Sequence, residues 1–292
     1  MKLQVVHRTL YQYAHPVTLA HNQARLTPRS CATQRCLQSR IVVEPYPMLL
    51  HSWTDYFGNE ATYFMFESPH AELSITLEAA VELLPRDLKH QIADEGTWEE
   101  AARVFQQPTS PAAFEASLYT YDSPYVKRDA DVRAYAATSF PPNRSFFAGV
   151  RELTHRIHKD FRYDPQATTL NTTTGELLQL RRGVCQDFAH LQIACLRSLG
   201  LAARYVSGYL VTHSPPGKPK LVGADASHAW LSVFFPQCGW VDFDPTNNCL
   251  PSSDHITLAW GRDYFDVAPI KGLYFGDGAS TLTVLVDVSL LN

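Results

Sequence analysis

The sequence predicts an α+β protein in which an antiparallel β domain precedes a second domain, where one helix packs on an antiparallel sheet. Two patterns indicate this order. Residues 3–84 alternate polar and apolar positions in runs that Pro, Gly, Asn or Ser interrupt. The second half contains a long run with apolar residues at helical spacing, and three strand-like runs follow it.

The first domain is predicted to be made of antiparallel strands. Four segments have the alternating or β-branched residues of strands, namely LQVVHRTLYQY, SRIVVEPYP, NEATYFMFE and AELSITLEAAVEL. The segment FGNEA is a predicted hairpin turn, because Gly58 and Asn59 both tolerate a positive φ. Residues 85–145 contain many charges and short helical patches, which indicates a linker with local helices.

The second domain is predicted to begin with helices and to end with strands. We place the first domain and its linker at residues 1–108 and the second domain at 109–292. A helix is expected from Ser145, and another runs from Cys185 to Gly200, with apolar positions at Phe188, Leu191, Ile193, Cys195, Leu196 and Leu199. Strands YVSGYLVT, HAWLSVFF and GWVDFDPT follow, with SPPGKPK as an exposed hairpin loop, and STLTVLVDVSLL forms a last strand.

Composition excludes several classes of function. The 292 residues have a formal net charge of −4, so the chain has no basic surface for nucleic acid. No run approaches the ~18 apolar residues of a membrane span, and the N-terminus has no signal-peptide pattern. We therefore expect a cytoplasmic protein whose six cysteines are reduced thiols, with no membrane partner.

Cys185, His228 and Asp244 are the candidate reactive residues. A free thiol is mostly protonated at neutral pH, since its reference pKa is about 8.5, and the thiolate is the nucleophile. The start of a helix favours an anion, and a neighbouring imidazolium would favour the thiolate further. His228 and Asp244 lie in or beside predicted strands, and a Cys/His/acid set in this order supplies the parts of a thiol triad.

These motifs carry a family resemblance. GVCQDFAHL, SHAW and WVDFDPTN resemble, in order, the three catalytic segments of the bacterial transglutaminase-like family, whose members are often described as candidate cysteine proteases. In the first half, HRTLYQY, ARLTPRS and DYFGNEA look like the β domain that precedes the core in this family. GRDYFDVAPIKGLYFG is similar to its C-terminal signature, so the resemblance covers nearly the whole chain.

The resemblance implies a transglutaminase-like (papain-like) core and a role for each residue. Cys185 is the implied nucleophile, His228 the general base and acid, and Asp244 the carboxylate that orients the histidine. Asp242 is the competing acid, because alternation places it on the same face of one strand as Asp244 and both could approach the histidine. No cofactor or metal is implied.

Other residues of the cleft are less sharply indicated. The backbone N–H of Cys185 is the expected oxyanion donor, and Gln179 is a candidate second donor because it has the spacing of the oxyanion glutamine in papain-like proteases. Tyr163, Tyr209 and Trp230 are candidate cleft residues, although each could equally be a core aromatic. Asp187 is expected to complement the helix dipole.

The expected reaction is acyl transfer from an amide through a thioacyl intermediate on Cys185. Water would resolve that intermediate as a hydrolase does, and an amine would resolve it as a transglutaminase does. The family description favours hydrolysis of a peptide or isopeptide bond, with a protein or peptide as the substrate. Protein-glutamine amine transfer and a catalytically silent binding or scaffold protein remain the alternatives.

Overall fold

The computed structural model describes residues 1–85, 96–211, 226–276 and 278–291, so the predicted SPPGKPK loop lies outside the described residues. It confirms the predicted α+β class. The strands of the β-rich first part are β1 (Lys2–Val17), β2 (Leu19–Ala24), β3 (Gln34–Glu44), β4 (Leu49–Thr54), β5 (Glu60–Phe66) and β6 (His70–Leu83).

The helices of the described segments surround one central helix. They are α1 (Trp98–Gln106), α2 (Pro111–Ser117), α3 (Ala130–Ala137), α4 (Phe146–Asp160), α5 (Thr174–Leu180), α6 (Cys185–Ser198) and α7 (Tyr264–Val267). A 3-10 turn follows α2 at Leu118–Thr120. None of these helices has the length and apolar run that a bilayer crossing requires.

The remaining strands form the sheet under α6 and complete the β domain. They are β7 (Arg162–Tyr163), β8 (Arg182–Gly183), β9 (Ala203–Leu210), β10 (Ala226–Phe235), β11 (Gly239–Phe243), β12 (His255–Gly261), β13 (Ile270–Phe275) and β14 (Ser280–Leu290). Short β7 and β8 pair in parallel, and the longer pairs are antiparallel. The sequence predicts no strand at the positions of β2, β4, β7, β8, β12 and β13.

The β domain contains two four-stranded sheets, in the orders β14-β1-β6-β3 and β13-β2-β5-β4. Alternation in β6 buries Leu73, Ile75 and Leu77 in the core, where Phe64 and Phe66 of β5 also lie. The predicted FGNEA turn joins β4 to β5, with Gly58 at φ +75°. Because β13 and β14 pair with β2 and β1, the β domain contains strands from both halves of the sequence. The predicted division near residue 108 stays a prediction.

Helix α6 is the centre of the second part of the molecule. It packs on β9 and β10, which are the middle strands of the sheet β11-β10-β9-β12, while α3, α4 and α5 cover its other sides. Every residue from Asp187 to Ser198 is buried, which explains why the apolar pattern extends beyond one face. The helix stops at the predicted place, since Gly200 has φ +79°.

Candidate active site

The start of α6 holds Cys185 in place. The carboxylate of Asp187 accepts the backbone N–H of Val184 at 2.8 Å and the Thr168 hydroxyl at 2.6 Å. Gly183 leaves room for this contact, because a Cβ at that position would lie 2.6 Å from Asp187 Oδ2. Cys185, the first residue of the helix, is partly exposed and its N–H is among those without an acceptor inside the helix.

His228 on β10 lies between the thiol and a carboxylate. Its Nε2 donates to Asp244 Oδ2 at 2.7 Å, and the Cys185 side chain lies close enough to its ring to raise its pKa. Because Asp244 occupies Nε2, Nδ1 is the nitrogen left for the sulfur. Burial lowers the pKa of His228, but the hydrogen bonds and charges of Asp244 and Cys185 outweigh burial and raise that pKa to about 9.

Asp244 follows β11 directly and is completely buried. Its Oδ2 accepts from His228 Nε2, from Asn247 Nδ2 at 2.7 Å and from His255 Nε2 at 3.1 Å. Its Oδ1 accepts the backbone N–H groups of Thr246 at 2.9 Å and Asn247 at 3.2 Å. Burial alone would raise the pKa of Asp244, but these donors and the charge of His228 hold it well below its usual range.

Asp242, the competing acid, has other partners. Its carboxylate accepts the hydroxyl of Ser232, the residue opposite it on β10. It also lies near the guanidinium of Arg204, which stacks between Trp240 and Trp260 at 4.1 and 3.7 Å. The two acids do share a face of the sheet, yet the structure pairs His228 with Asp244.

His228, Asp244 and His255 also form the grouping in the described segments that is most like a metal site. Their nearest nitrogen and oxygen atoms all lie within 4.8 Å of one another. Each of these atoms already takes part in the hydrogen bonds to Asp244 Oδ2. We therefore describe the group as a hydrogen-bonded cluster.

A cavity of about 410 Å³ opens in front of Cys185 and His228. The β domain forms one wall through residues of β1 and β14, and the other walls come from the second part of the chain. The lining side chains include His7, Thr9, Tyr11, Leu282 and Val284 from the β domain, and Tyr163, Gln186, Tyr205, Ser207 and Tyr264 from the rest. A substrate in this cavity would contact both parts of the molecule.

The four further residues predicted for the cleft differ in position. Tyr163 lines the cavity, is half-exposed, and has a pKa raised by burial and by the nearby Cys185 sulfur. Gln179 is exposed on α5 and does not line the cavity. Tyr209 and Trp230 are completely buried behind it. The structure therefore brings only Tyr163 of this set to the cleft.

Several residues of the site were missed by reasoning from sequence. His7 and Thr9 alternate along β1, which predicts a shared face but not that this face meets a cysteine far along the chain. The His7 ring is hydrogen-bonded through Nδ1 to the Tyr209 hydroxyl at 2.9 Å and through Nε2 to Thr9 Oγ1 at 2.8 Å, while burial lowers its pKa to about 4. His255 begins a strand that was not predicted, and residue spacing gives no sign that His255 contacts Asp244.

Each of the two parts of the chain matches a family of known proteins. Residues 3–82 match the bacterial transglutaminase-like N-terminal region, and residues 133–245 match the transglutaminase-like superfamily. An uncharacterized protein of Mycobacterium tuberculosis is 41% identical over 98% of this chain and 92% of its own length. A protein-glutamine gamma-glutamyltransferase of Pseudomonas aeruginosa is 31% identical over 125 residues, 40% of this chain and 19% of its own.

A solved structure shares the fold over the whole length of the chain. The crystal structure of a candidate cysteine protease from Cytophaga hutchinsonii aligns with a TM-score of 0.76 and 21% identity, covering 100% of this chain and 91% of that one. At this identity the likeness concerns the fold alone. The two matched regions and the mycobacterial relative confirm the resemblance found in the sequence: the chain belongs to the bacterial transglutaminase-like family.

Proposed function

We propose that the protein is a thiol-dependent enzyme that transfers the acyl group of an amide, with Cys185 as nucleophile, His228 as base and acid, and Asp244 as the orienting carboxylate. One observation carries this proposal. The His228 ring lies beside the Cys185 side chain and is hydrogen-bonded to a buried carboxylate, at the edge of a cavity large enough for a substrate side chain.

The first half of the reaction forms a thioester. The Cys185 thiol gives its proton to His228 Nδ1 and its sulfur attacks the amide carbon, while the developing oxyanion is stabilised by the backbone N–H at the start of α6. The C–N bond then breaks, and the proton on His228 Nδ1 passes to the leaving amine. Asp244 keeps Nε2 occupied throughout, so that Nδ1 stays directed at the reacting atoms.

The second half releases the acyl group. His228 takes a proton from water, the water oxygen attacks the thioester carbon, and the C–S bond breaks to free a carboxylic acid. Cys185 and Tyr163 are both partly open to solvent, which supports water as the acceptor. We therefore propose hydrolysis of a peptide or isopeptide amide, with a protein or peptide as substrate.

Amine transfer is the second candidate. The name of the Pseudomonas aeruginosa relative, a protein-glutamine gamma-glutamyltransferase, favours a glutamine side chain as the acyl donor and an amine as acceptor. Both reactions use the same thioester and differ only in the group that attacks it. A single assay with water and an added primary amine would therefore separate them by the products formed.

The test is the pH dependence of iodoacetamide alkylation at Cys185, followed by peptide mass spectrometry in wild type and His228→Ala. The buried thiol of Cys195 serves as the internal control. We expect rapid alkylation of wild-type Cys185 well below pH 8.5, and its loss in the variant. Alkylation that follows an ordinary thiol titration in both proteins would contradict the proposal and favour a binding protein.

Turnover would then be measured on a panel of peptides with glutamine, peptide and isopeptide amides, with and without a primary amine. Release of free acid that depends on Cys185 supports hydrolysis. A Cys185→Ala variant that retains full turnover would show that another group performs the reaction.

A further inference from the structure

His255 is a second histidine on the carboxylate of Asp244. Its Nε2 donates to Oδ2 at 3.1 Å, and His228 Nε2 donates to the same oxygen at 2.7 Å. An ionised carboxylate only accepts hydrogen bonds, so each ring must present an Nε2–H to it. The two rings lie 5.8 Å apart, with the carboxylate oxygen bonded to both.

The fold brings His255 to this place across an intervening strand. His255 begins β12, His228 and Trp230 lie on β10, and β9 runs between the two strands. The Trp230 ring lies over Gly208 of β9, where a Cβ would be 2.5 Å from the indole. Because residue 208 is glycine, the indole meets the His255 ring edge-on at 5.2 Å and the His228 ring at 6.0 Å.

The bond from His255 fixes the carboxylate in two ways. It supplies a donor to Oδ2 from the side of β12, so rotation of the Asp244 side chain would break bonds to two rings. It also stabilises the ionised form, which burial opposes. Within the described part of the chain, the titratable groups that face Asp244 are His228, His255 and Cys249, with Asp254 beyond Cys249.

We propose that His255 is a positioning residue of the site: it holds Asp244 in the rotamer that anchors His228 Nε2, and so keeps His228 Nδ1 directed at Cys185. This inference rests on the proposed function as far as the Cys185 and His228 pair is concerned. It does not depend on which amide is the substrate. His255 contacts His228 but is not itself among the described residues that line the cavity.

The test compares three replacements of His255. Phe keeps a ring against Trp230 and removes the donor, Gln can place an amide N–H near the position of Nε2, and Asn is polar but too short to reach Oδ2. The readout is the rate of Cys185 alkylation between pH 5 and pH 9. We expect His255→Phe and His255→Asn to be about tenfold slower at pH 6, and His255→Gln to recover most of the wild-type rate.

An Asp244→Asn background distinguishes positioning from a general loss of structure. If His255 acts through Asp244, adding His255→Phe to Asp244→Asn leaves the alkylation rate unchanged. The exposed His51 of β4, replaced by Phe, is the matched control and should behave as wild type. Should His255→Phe fail to fold, the Gln and Asn variants still allow the alkylation rates of Cys185 to be compared, since both replacements are polar and differ only in their reach to Oδ2.

Two results would overturn the inference. The first is an alkylation rate of Cys185 in His255→Phe or His255→Asn that matches wild type at every pH. The second is an equal fall in that rate when His255→Phe is made with and without the Asp244 carboxylate. The proposed function can fail separately. If wild type turns over no amide but its alkylation falls as expected in the variants, the role of His255 stands. If amides are turned over and His255 has no effect on alkylation, only this inference is lost.

Discussion

The side-chain amide of Gln34 pairs with the backbone of Thr257 as a neighbouring strand would. Oε1 accepts the Thr257 N–H at 2.9 Å, and Nε2 donates to the Thr257 carbonyl at 2.8 Å. Asn59 makes the same pair of bonds to the backbone of Trp260, at 3.0 and 2.9 Å. Two amides of the β domain thus bond the edge of β12, the strand that begins with His255.

Replacing Gln34 by Leu should destabilise the protein. The substitution leaves the buried N–H of Thr257 without a partner, while the Thr257 carbonyl keeps only the backbone N–H of Arg29 at 3.2 Å, and the expected cost is about 1–3 kcal/mol of unfolding free energy. Urea denaturation monitored by tryptophan fluorescence would measure the loss. Gln38→Leu, at an exposed position of the same strand, is the control, and equal losses in both variants would contradict the role of Gln34.

Asp187→Ala should loosen the start of α6. The variant loses the acceptor of the Val184 N–H and of the Thr168 hydroxyl, with an expected cost of about 1–2 kcal/mol. Glu100 is a matched control, because its carboxylate accepts the N–H of Thr97 in the same way at the exposed start of α1. We expect Asp187→Ala to be the more destabilising variant in thermal unfolding; the reverse order would be evidence against this account.

The contribution of His228 to stability should fall at alkaline pH. Its pKa is raised from about 6.5 in the unfolded chain to about 9 in the folded protein, so its stabilising effect is complete below pH 6.5 and is lost as the pH rises through 9. The difference in unfolding free energy between wild type and His228→Gln should therefore shrink between pH 6 and pH 10. The same difference measured in an Asp244→Asn background should show no such trend, and a persistent trend would mean that another group causes it.

Leu282→Arg should impair substrate binding more than chemistry. Leu282 of β14 lines the cavity and stands opposite Tyr11 of β1, whereas Leu285 is similarly exposed but does not line it. We expect a KM about tenfold higher, equivalent to about 1.4 kcal/mol, with unchanged alkylation of Cys185. Leu285→Arg is the control. A KM that rises equally in both variants would argue against a substrate contact with β14.

Much of the fold could be predicted because it depends on neighbouring residues. Alternation marks β1 and β6, near-helical spacing marks α6, and Gly200 ends that helix where the chain needs a positive φ. Strand β12, a short and largely apolar segment, was not predicted. It is buried on both sides, so its residues do not alternate.

Local pattern and motif were enough to predict the family, the α+β class and the order of the segments that carry Cys185, His228 and Asp244. The three-dimensional structure was needed to show that His228 bonds Asp244 while Asp242 bonds Ser232, because the register between β10 and β11 sets which groups meet. It also shows that β1 and β14 form a wall of the cavity and that His255 reaches Asp244. Contacts between distant strands depend on sheet order and packing, which no local pattern encodes.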